Sequence, residues 1–158
     1  MKLKVMTTIF ALTLVLVAGF ATLSLSPGVA SVSASDDQRP RLLHVTKECS
    51  QYLGLAGSFC TFTSSNIPEI RVGSKVYYDQ AAGTPLGLLD SNVVIDAGHG
   101  NRAVGRCTLD LSTYHGLCTF SDGTGEFAGF HARVDVSPLG GPDFAWDGTY
   151  SFTRERDR

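Results

Sequence analysis

The side chains best suited to covalent chemistry in this sequence are four cysteines that form two equally spaced pairs. Cys49 lies eleven residues before Cys60, and Cys107 lies eleven residues before Cys118. In an oxidising compartment this even number predicts two disulfides, with three connectivities open. If each local pair is bonded, each bond adds about 3 kcal/mol on the chain-entropy model. A zinc site is disfavoured because the close Cys-x-x-Cys spacing of tetrahedral sites does not occur.

The other reactive residue types do not fall into patterns that predict catalysis. No Gly-x-Ser-x-Gly elbow is present for a serine nucleophile, and Asp96, Asp110 and Asp135 are typical of the solvated faces of a β-domain. The histidines lack the spacing of metal pairs, and His99 is interpreted as a turn histidine in a glycine-rich loop. We therefore predict no catalytic residue, no metal and no cofactor. The four histidines are His44, His99, His115 and His131.

The first 34 residues have the layout of a secretory signal peptide. Lys2 and Lys4 precede an apolar run over residues 9–20, and Val32-Ser33-Ala34 supplies a small-residue cleavage site. The run is shorter than the ~20 residues that span a bilayer core. We expect cleavage after Ala34 and a secreted or periplasmic product that is not attached to a membrane.

Charge and length limit the partners and the number of domains. After residue 34 the chain has 11 basic and 15 acidic residues, a net charge of −4. A mildly acidic chain without a basic stripe argues against nucleic acid and anionic membranes as partners. The remaining length suits one hydrophobic core. We divide it into a flexible leader (35–41), one domain (42–153) and a charged tail (154–158).

The domain is predicted to be all-β because apolar residues alternate with polar ones and turn residues recur every eight to twelve positions. A hairpin centred between Ser112 and Thr113 would place Cys107 directly opposite Cys118. One antiparallel, calycin-like barrel of about eight strands is favoured over a sandwich, because only a closed barrel removes both sheet edges. The predicted strands are 42–45, 58–63, 71–79, 92–96, 104–111, 116–120, 127–136 and 144–152.

Aromatic residues of the last predicted strand, together with Tyr78, are the candidates for contact with a ligand, and positions in the lumen, at its lip or at a subunit contact all remain open for those of the last strand. A barrel of this size either packs its interior with side chains or leaves room for one small molecule. The candidate ligand-binding residues are Tyr78, Phe144, Trp146 and Tyr150.

The segment Phe120-Ser121-Asp122-Gly123-Thr124-Gly125-Glu126-Phe127-Ala128-Gly129-Phe130 resembles a turn and strand of the allene oxide cyclase and dirigent barrel superfamily. The resemblance spans roughly residues 58–136. It implies an eight-stranded barrel with an apolar lumen for a small hydrophobic molecule, and assembly as a homotrimer or another homo-oligomer. Gly123 and Gly125 permit a tight left-handed turn that lets Phe127 re-enter the sheet facing the core, and with Gly129 they form the predicted structural turn. The polar residues of the plant enzymes have no matching positions here, so their activities are not carried over.

Two functional hypotheses follow from these patterns. The first is a secreted, disulfide-stabilised barrel that binds a small hydrophobic or aromatic molecule and steers its cyclisation or coupling by confinement. Any turnover would then be isomerase- or cyclase-like and would use no nucleophile. The alternative is an extracellular interaction or structural module with a fully packed barrel, in which the aromatic residues of 144–152 form an interface.

Overall fold

The computed structural model describes residues 39–153, which form eight antiparallel strands and a short 3₁₀ turn at Gly125–Phe127. The predicted signal peptide at 1–34, the cleavage site, residues 35–38 of the leader and the tail at 154–158 lie outside the described residues. The strands are β1 (Arg41–Glu48), β2 (Phe59–Ser65), β3 (Lys75–Tyr78), β4 (Leu88–Asp96), β5 (Arg102–Asp110), β6 (Gly116–Thr124), β7 (Phe130–Gly140) and β8 (Asp143–Phe152).

The eight strands close into a barrel. Each strand is hydrogen-bonded to the next along the chain, and β8 pairs with β1, from Arg41 opposite Tyr150 to Glu48 opposite Asp143. Every strand of residues 39–153 therefore has two neighbours, and the sheet has no edge there to recruit another chain. The predicted antiparallel barrel is confirmed. Within the same residues no helix is long and apolar enough to cross a bilayer.

Two strands begin later than the sequence predicts because a turn precedes each of them. Before β3, the backbone N–H of Ser74 donates to the carbonyl of Arg71, and Gly73 has a φ of +90°. Val72, which the predicted strand 71–79 includes, lies in this turn and is 70% exposed. Before β7, Gly129 has a φ of +72°, so the strand starts at Phe130 instead of residue 127. Alternation alone cannot detect such turns, because their apolar residues continue the period of the strand.

Most of the barrel interior is packed, and a group of aromatic side chains lies among its aliphatic residues. Trp146 is 0% exposed, and its ring meets Phe62 edge-on at 5.4 Å and Phe120 at 5.7 Å. Phe130 contacts Phe127 and continues this packing toward the end where β7 begins. Burial of rings of this size dominates the energetics of a small core. The lumen is therefore mostly filled, and room for a ligand must be sought at one end.

The two disulfides join cysteines in the local pairs. Cys107 lies directly opposite Cys118 on β5 and β6, as the predicted hairpin register requires. The second bond joins Cys49, just after β1, to Cys60 on β2. All four cysteines are paired, which is compatible with an oxidising compartment.

The glycines of segment 120–130 have two different roles. Gly125 and Gly129 have positive φ values of 62° and 72°, which glycine adopts at little cost. Gly123, predicted to share in the left-handed turn, instead lies in β6, where a Cβ atom would collide with the carbonyl oxygen of Arg102 and with Phe127. Phe127 is fully buried as expected, but it reaches the core from the 3₁₀ turn rather than from a strand.

Candidate functional site

The candidate site is a cavity at one end of the barrel, which we call the disulfide end. The chain connections at this end are 49–58, 79–87, 111–115 and 141–142. The cavity has a volume of about 90 Å³ and is partly open to solvent. Both disulfides contribute to its wall. Its lining residues are Lys47, Cys49, Tyr52, Cys60, Tyr78, Leu89, Cys107, Leu109, Leu111, Tyr114, Cys118, Val136 and Phe144.

Among the described residues, the side chains of the cavity wall are apolar except for one amine and the tyrosine hydroxyls. Lys47 is only 4% exposed, although lysine is almost never buried without a charged partner. Among residues 39–153, no carboxylate lines the cavity. The position of Lys47 follows from the alternation of β1. Leu43 and Val45 point into the barrel, and Lys47 is the next residue of β1 with the same orientation. The pairing of β1 with Phe144 on β8 and Phe62 on β2 holds it there.

Burial changes the protonation of Lys47. Desolvation penalises the ammonium form and lowers the pKa of Lys47 from 10.5 to about 7. Three rings surround the amine and lessen the cost of its charged form through cation–π attraction. Nζ lies 4.5 Å from the ring centroid of Trp146, 5.1 Å from that of Tyr78 and 5.6 Å from that of Phe144. Near neutral pH the amine is therefore divided between its neutral and charged forms.

Two tyrosine hydroxyls accompany the amine. Lys47 Nζ donates a hydrogen bond to the Tyr78 hydroxyl. Burial, with a smaller contribution from the charge of Tyr52, raises the pKa of Tyr78 well above its usual value. Burial also raises the pKa of Tyr52, whose ring packs edge-on against Tyr78 at 5.1 Å. The buried Tyr52 hydroxyl has no hydrogen-bond partner among the described residues. Both tyrosines stay protonated at neutral pH and can donate to a ligand.

The structure separates the four predicted ligand residues. Tyr78 and Phe144 line the cavity. Trp146 does not line it but lies behind the Lys47 amine as part of the packed interior. Tyr150 packs against Phe130, with the Arg41 guanidinium 4.6 Å from its ring centroid, away from the cavity. Trp146 and Tyr150 are buried, so neither forms the surface interface that the alternative hypothesis requires.

Sequence reasoning misses Lys47 itself. The predicted first strand ends at Val45, so Lys47 falls outside it. The signal that could find it is the two-residue period, which runs on through Leu43, Val45, Lys47 and Cys49. With Cys49 bonded to Cys60 on the next strand, this period places the intervening Lys47 inside the barrel.

The other candidate groups lie away from the cavity. His44 Nδ1 bonds to Asp147, and both side chains are more than half exposed. His99 occupies the loop before β5 with a φ of +55°, in agreement with its interpretation as a turn residue. Asp96 pairs with Arg102 on the outer surface. Among residues 39–153, no cluster of three or more histidine, cysteine or acidic side chains is arranged to hold a metal ion.

Comparison with known proteins leaves the site to be interpreted from its own chemistry. No protein-family model matches the chain, and no curated protein is significantly similar to it.

Proposed function

We propose that this chain is an exported, disulfide-stabilised barrel, similar to the allene oxide cyclase and dirigent proteins, that binds one small hydrophobic molecule at the disulfide end. The observation that carries the proposal is the cavity. It is apolar, partly open and supplied with a single amine and tyrosine hydroxyls. Ligand pockets typically combine a hydrophobic lining with a few placed polar groups.

The cavity volume limits the ligand. A dry apolar cavity of roughly 150 Å³ holds benzene, whereas this one measures about 90 Å³. It is too small for two aromatic rings, so coupling of two phenols inside it is not favoured. One short aliphatic group with a polar end fits better. Confinement of one such molecule could steer an intramolecular reaction by holding a reactive conformer.

Five exposed apolar side chains, which we call the rim, lie at the same end of the barrel as the cavity. These exposed side chains lie in the connecting loops or at the end of β7, and a longer alkyl chain could rest on them while its polar end stays near Lys47. The rim residues are Leu53, Leu55, Leu86, Tyr114 and Leu139. The proposed ligand is therefore an aliphatic amphiphile with a small polar end.

Binding of 1-hexanol tests this proposal. The alcohol is titrated into protein with labelled methyl groups, and chemical-shift changes are followed by NMR. Methyl groups of Leu109, Leu111 and Val136 should shift in a saturable manner, whereas those of Val104 on the outer surface should not. Leu111→Trp should abolish binding by filling the cavity mouth. Leu42→Trp, which adds the same ring at an exposed site, should leave binding unchanged. Absence of saturable shifts in the wild type would refute the proposal.

The exposed rim also supports a second candidate, in which it contacts another protein chain or another copy of this one. Light scattering of the wild type against a Leu55→Asp, Leu86→Asp variant separates the two functions. A smaller mass for the variant with unchanged hexanol binding would favour an interface at the rim. An unchanged mass with weaker hexanol binding would favour the ligand.

A further inference from the structure

We infer that the Lys47 amine is a covalent capture site that condenses with an aliphatic aldehyde to form an imine inside the cavity. This inference rests on the proposed function, because the aldehyde must first occupy the same cavity as the hexanol probe. It goes beyond simple binding, since it assigns a nucleophile to a barrel for which the sequence predicts none.

The geometry meets the first requirement, an amine that faces a ligand. Lys47 borders a cavity whose wall is otherwise nearly all apolar, and the other polar side-chain groups among the described lining residues are tyrosine hydroxyls, one of which is bonded to Nζ. Tyr78 on β3, Tyr52 in loop 49–58 and Tyr114 in loop 111–115 are the titratable groups that line the cavity with it. No carboxylate from any packed element of residues 39–153 is present to hold the amine as an ion pair. A lysine in such surroundings is activated as a nucleophile, because its neutral form carries the lone pair.

The geometry also supplies proton donors for the reaction. The nitrogen lone pair attacks the carbonyl carbon, a C–N bond forms, and the electrons of the C=O π bond move to oxygen. A proton passes from nitrogen to that oxygen to give the carbinolamine. The hydroxyl then takes a further proton and leaves as water while the C=N bond forms. Tyr78, already hydrogen-bonded to Nζ, is placed to donate this proton and to recover one from nitrogen.

Tyr52 supports the same assignment. Its hydroxyl is buried, has no partner among the described residues and belongs to a side chain that lines the cavity. An unpaired buried hydroxyl costs free energy that a ligand oxygen can recover. An aldehyde oxygen or the oxygen of the carbinolamine hydroxyl can accept a hydrogen bond from the Tyr52 hydroxyl. The apolar wall favours an aldehyde over a carboxylate, because a buried anion requires further donors or charges that the cavity lacks.

Reductive trapping tests the inference on the full chain. The protein is incubated with hexanal and sodium cyanoborohydride at pH 7, and modified sites are mapped by mass spectrometry after chymotrypsin digestion. Lys75 is an internal control, because it lies on the outer face of β3 against Phe59. We expect Lys47 to be alkylated faster than Lys75 by roughly tenfold or more, since the cavity holds the aldehyde beside Lys47 and the lowered pKa of Lys47 leaves part of its amine neutral at this pH.

Three variants separate chemistry from folding. Lys75→Met should leave trapping at Lys47 unchanged. Leu111→Trp should prevent trapping at Lys47 while Lys75 still reacts, and 1-hexanol should compete with hexanal in the wild type. Tyr78→Phe should slow trapping at Lys47 by a larger factor than it weakens hexanol binding, because it removes the proton donor and keeps the ring.

The outcomes distinguish the inference from the proposed function. Hexanol binding without preferential trapping at Lys47 would overturn the inference and leave the proposed function standing. Absence of both would overturn both. Binding of hexanoate that strengthens below pH 7, with no trapping of hexanal, would identify an anion site on the ammonium form and would also overturn the inference.

Discussion

Lys47 Nζ donates a hydrogen bond to the Tyr78 hydroxyl inside the barrel, and no carboxylate of residues 39–153 lines the cavity around them. The amine and the hydroxyl come from β1 and β3, which are separated in the sheet by β2. This pair links the stability of the barrel to the chemistry of its cavity. Burial of the two side chains in the folded barrel lowers the pKa of Lys47 and raises that of Tyr78.

Stability should rise with pH because of Lys47. Its pKa is about 7 in the folded chain, against 10.5 for a solvated lysine such as that of the unfolded chain. Below pH 7 both states are protonated, and between pH 7 and 10 the unfolded state binds more protons. The free energy of unfolding should therefore increase by ~1.4 kcal/mol per pH unit, about 4 kcal/mol over this range. Above pH 10 the raised pKa of Tyr78 acts in the opposite direction, since tyrosine ionises first in the unfolded chain.

The measurement is urea unfolding of the wild type and of Lys47→Met at intervals from pH 6 to 10. Methionine keeps the length and apolar character of the side chain but does not titrate. The free energy of unfolding of the wild type, minus that of Lys47→Met, should increase as the pH rises. Parallel stability curves would show that the Lys47 pKa is not depressed.

Removal of the Tyr78 hydroxyl should destabilise the barrel. Tyr78→Phe leaves Lys47 without its hydrogen-bond partner, which should lower the free energy of unfolding by about 1–3 kcal/mol. Tyr77→Phe is the matched control, because Tyr77 is the neighbouring residue on the outer face of the same strand and should change stability by less than about 0.5 kcal/mol. Chemical denaturation measures both variants, and equal losses of unfolding free energy for Tyr78→Phe and Tyr77→Phe would contradict a stabilising role of the Lys47–Tyr78 hydrogen bond.

The two disulfides should have similar effects on stability and different effects on the cavity. Replacement of either pair by alanine should cost about 3 kcal/mol, because the closed loops have the same length. Loss of Cys49–Cys60 should also weaken hexanol binding, since this bond tethers the loop that carries Tyr52. The Cys107–Cys118 hairpin keeps its register through the flanking ladder. Calorimetry gives stability and NMR titration gives binding, and equal loss of affinity in both variants would refute this distinction.

Replacement of Gly123 by alanine should destabilise the barrel more than replacement of a glycine whose only requirement is a positive φ. A Cβ atom at Gly123 would collide with the carbonyl oxygens of Arg102 and Phe127 and with the Cβ atom of Phe127, whereas at Gly98, with a φ of +81°, it would meet nothing within 4 Å. Gly98→Ala should cost about 1 kcal/mol from backbone strain. Gly123→Ala should cost about 1–3 kcal/mol or more from overpacking. Thermal unfolding of the two variants measures the difference, and a smaller loss for Gly123→Ala would contradict the close approach.

Much of the fold can be predicted because its determinants are local. Alternation in segments such as residues 104–111 identifies a strand and the residues that share a face, and the hairpin geometry then places Cys107 opposite Cys118. The turn before β3 and the 3₁₀ turn at Gly125–Phe127 escape prediction, because apolar residues such as Val72 and Phe127 continue the period of a strand where the chain bends.

The sequence by itself determined the all-β class, the antiparallel barrel and the opposition of Cys107 and Cys118, because these depend on side-chain period and hairpin register. Tertiary structure alone decided which interior positions are packed and which border a cavity. Trp146 and Tyr150 lie in the packed interior, whereas Tyr78 and Phe144 line the cavity with Lys47. The physical reason is that burial of Lys47 depends on residues from all the other strands and from two loops closing around the cavity. A charged side chain is expected in water until those distant partners are known.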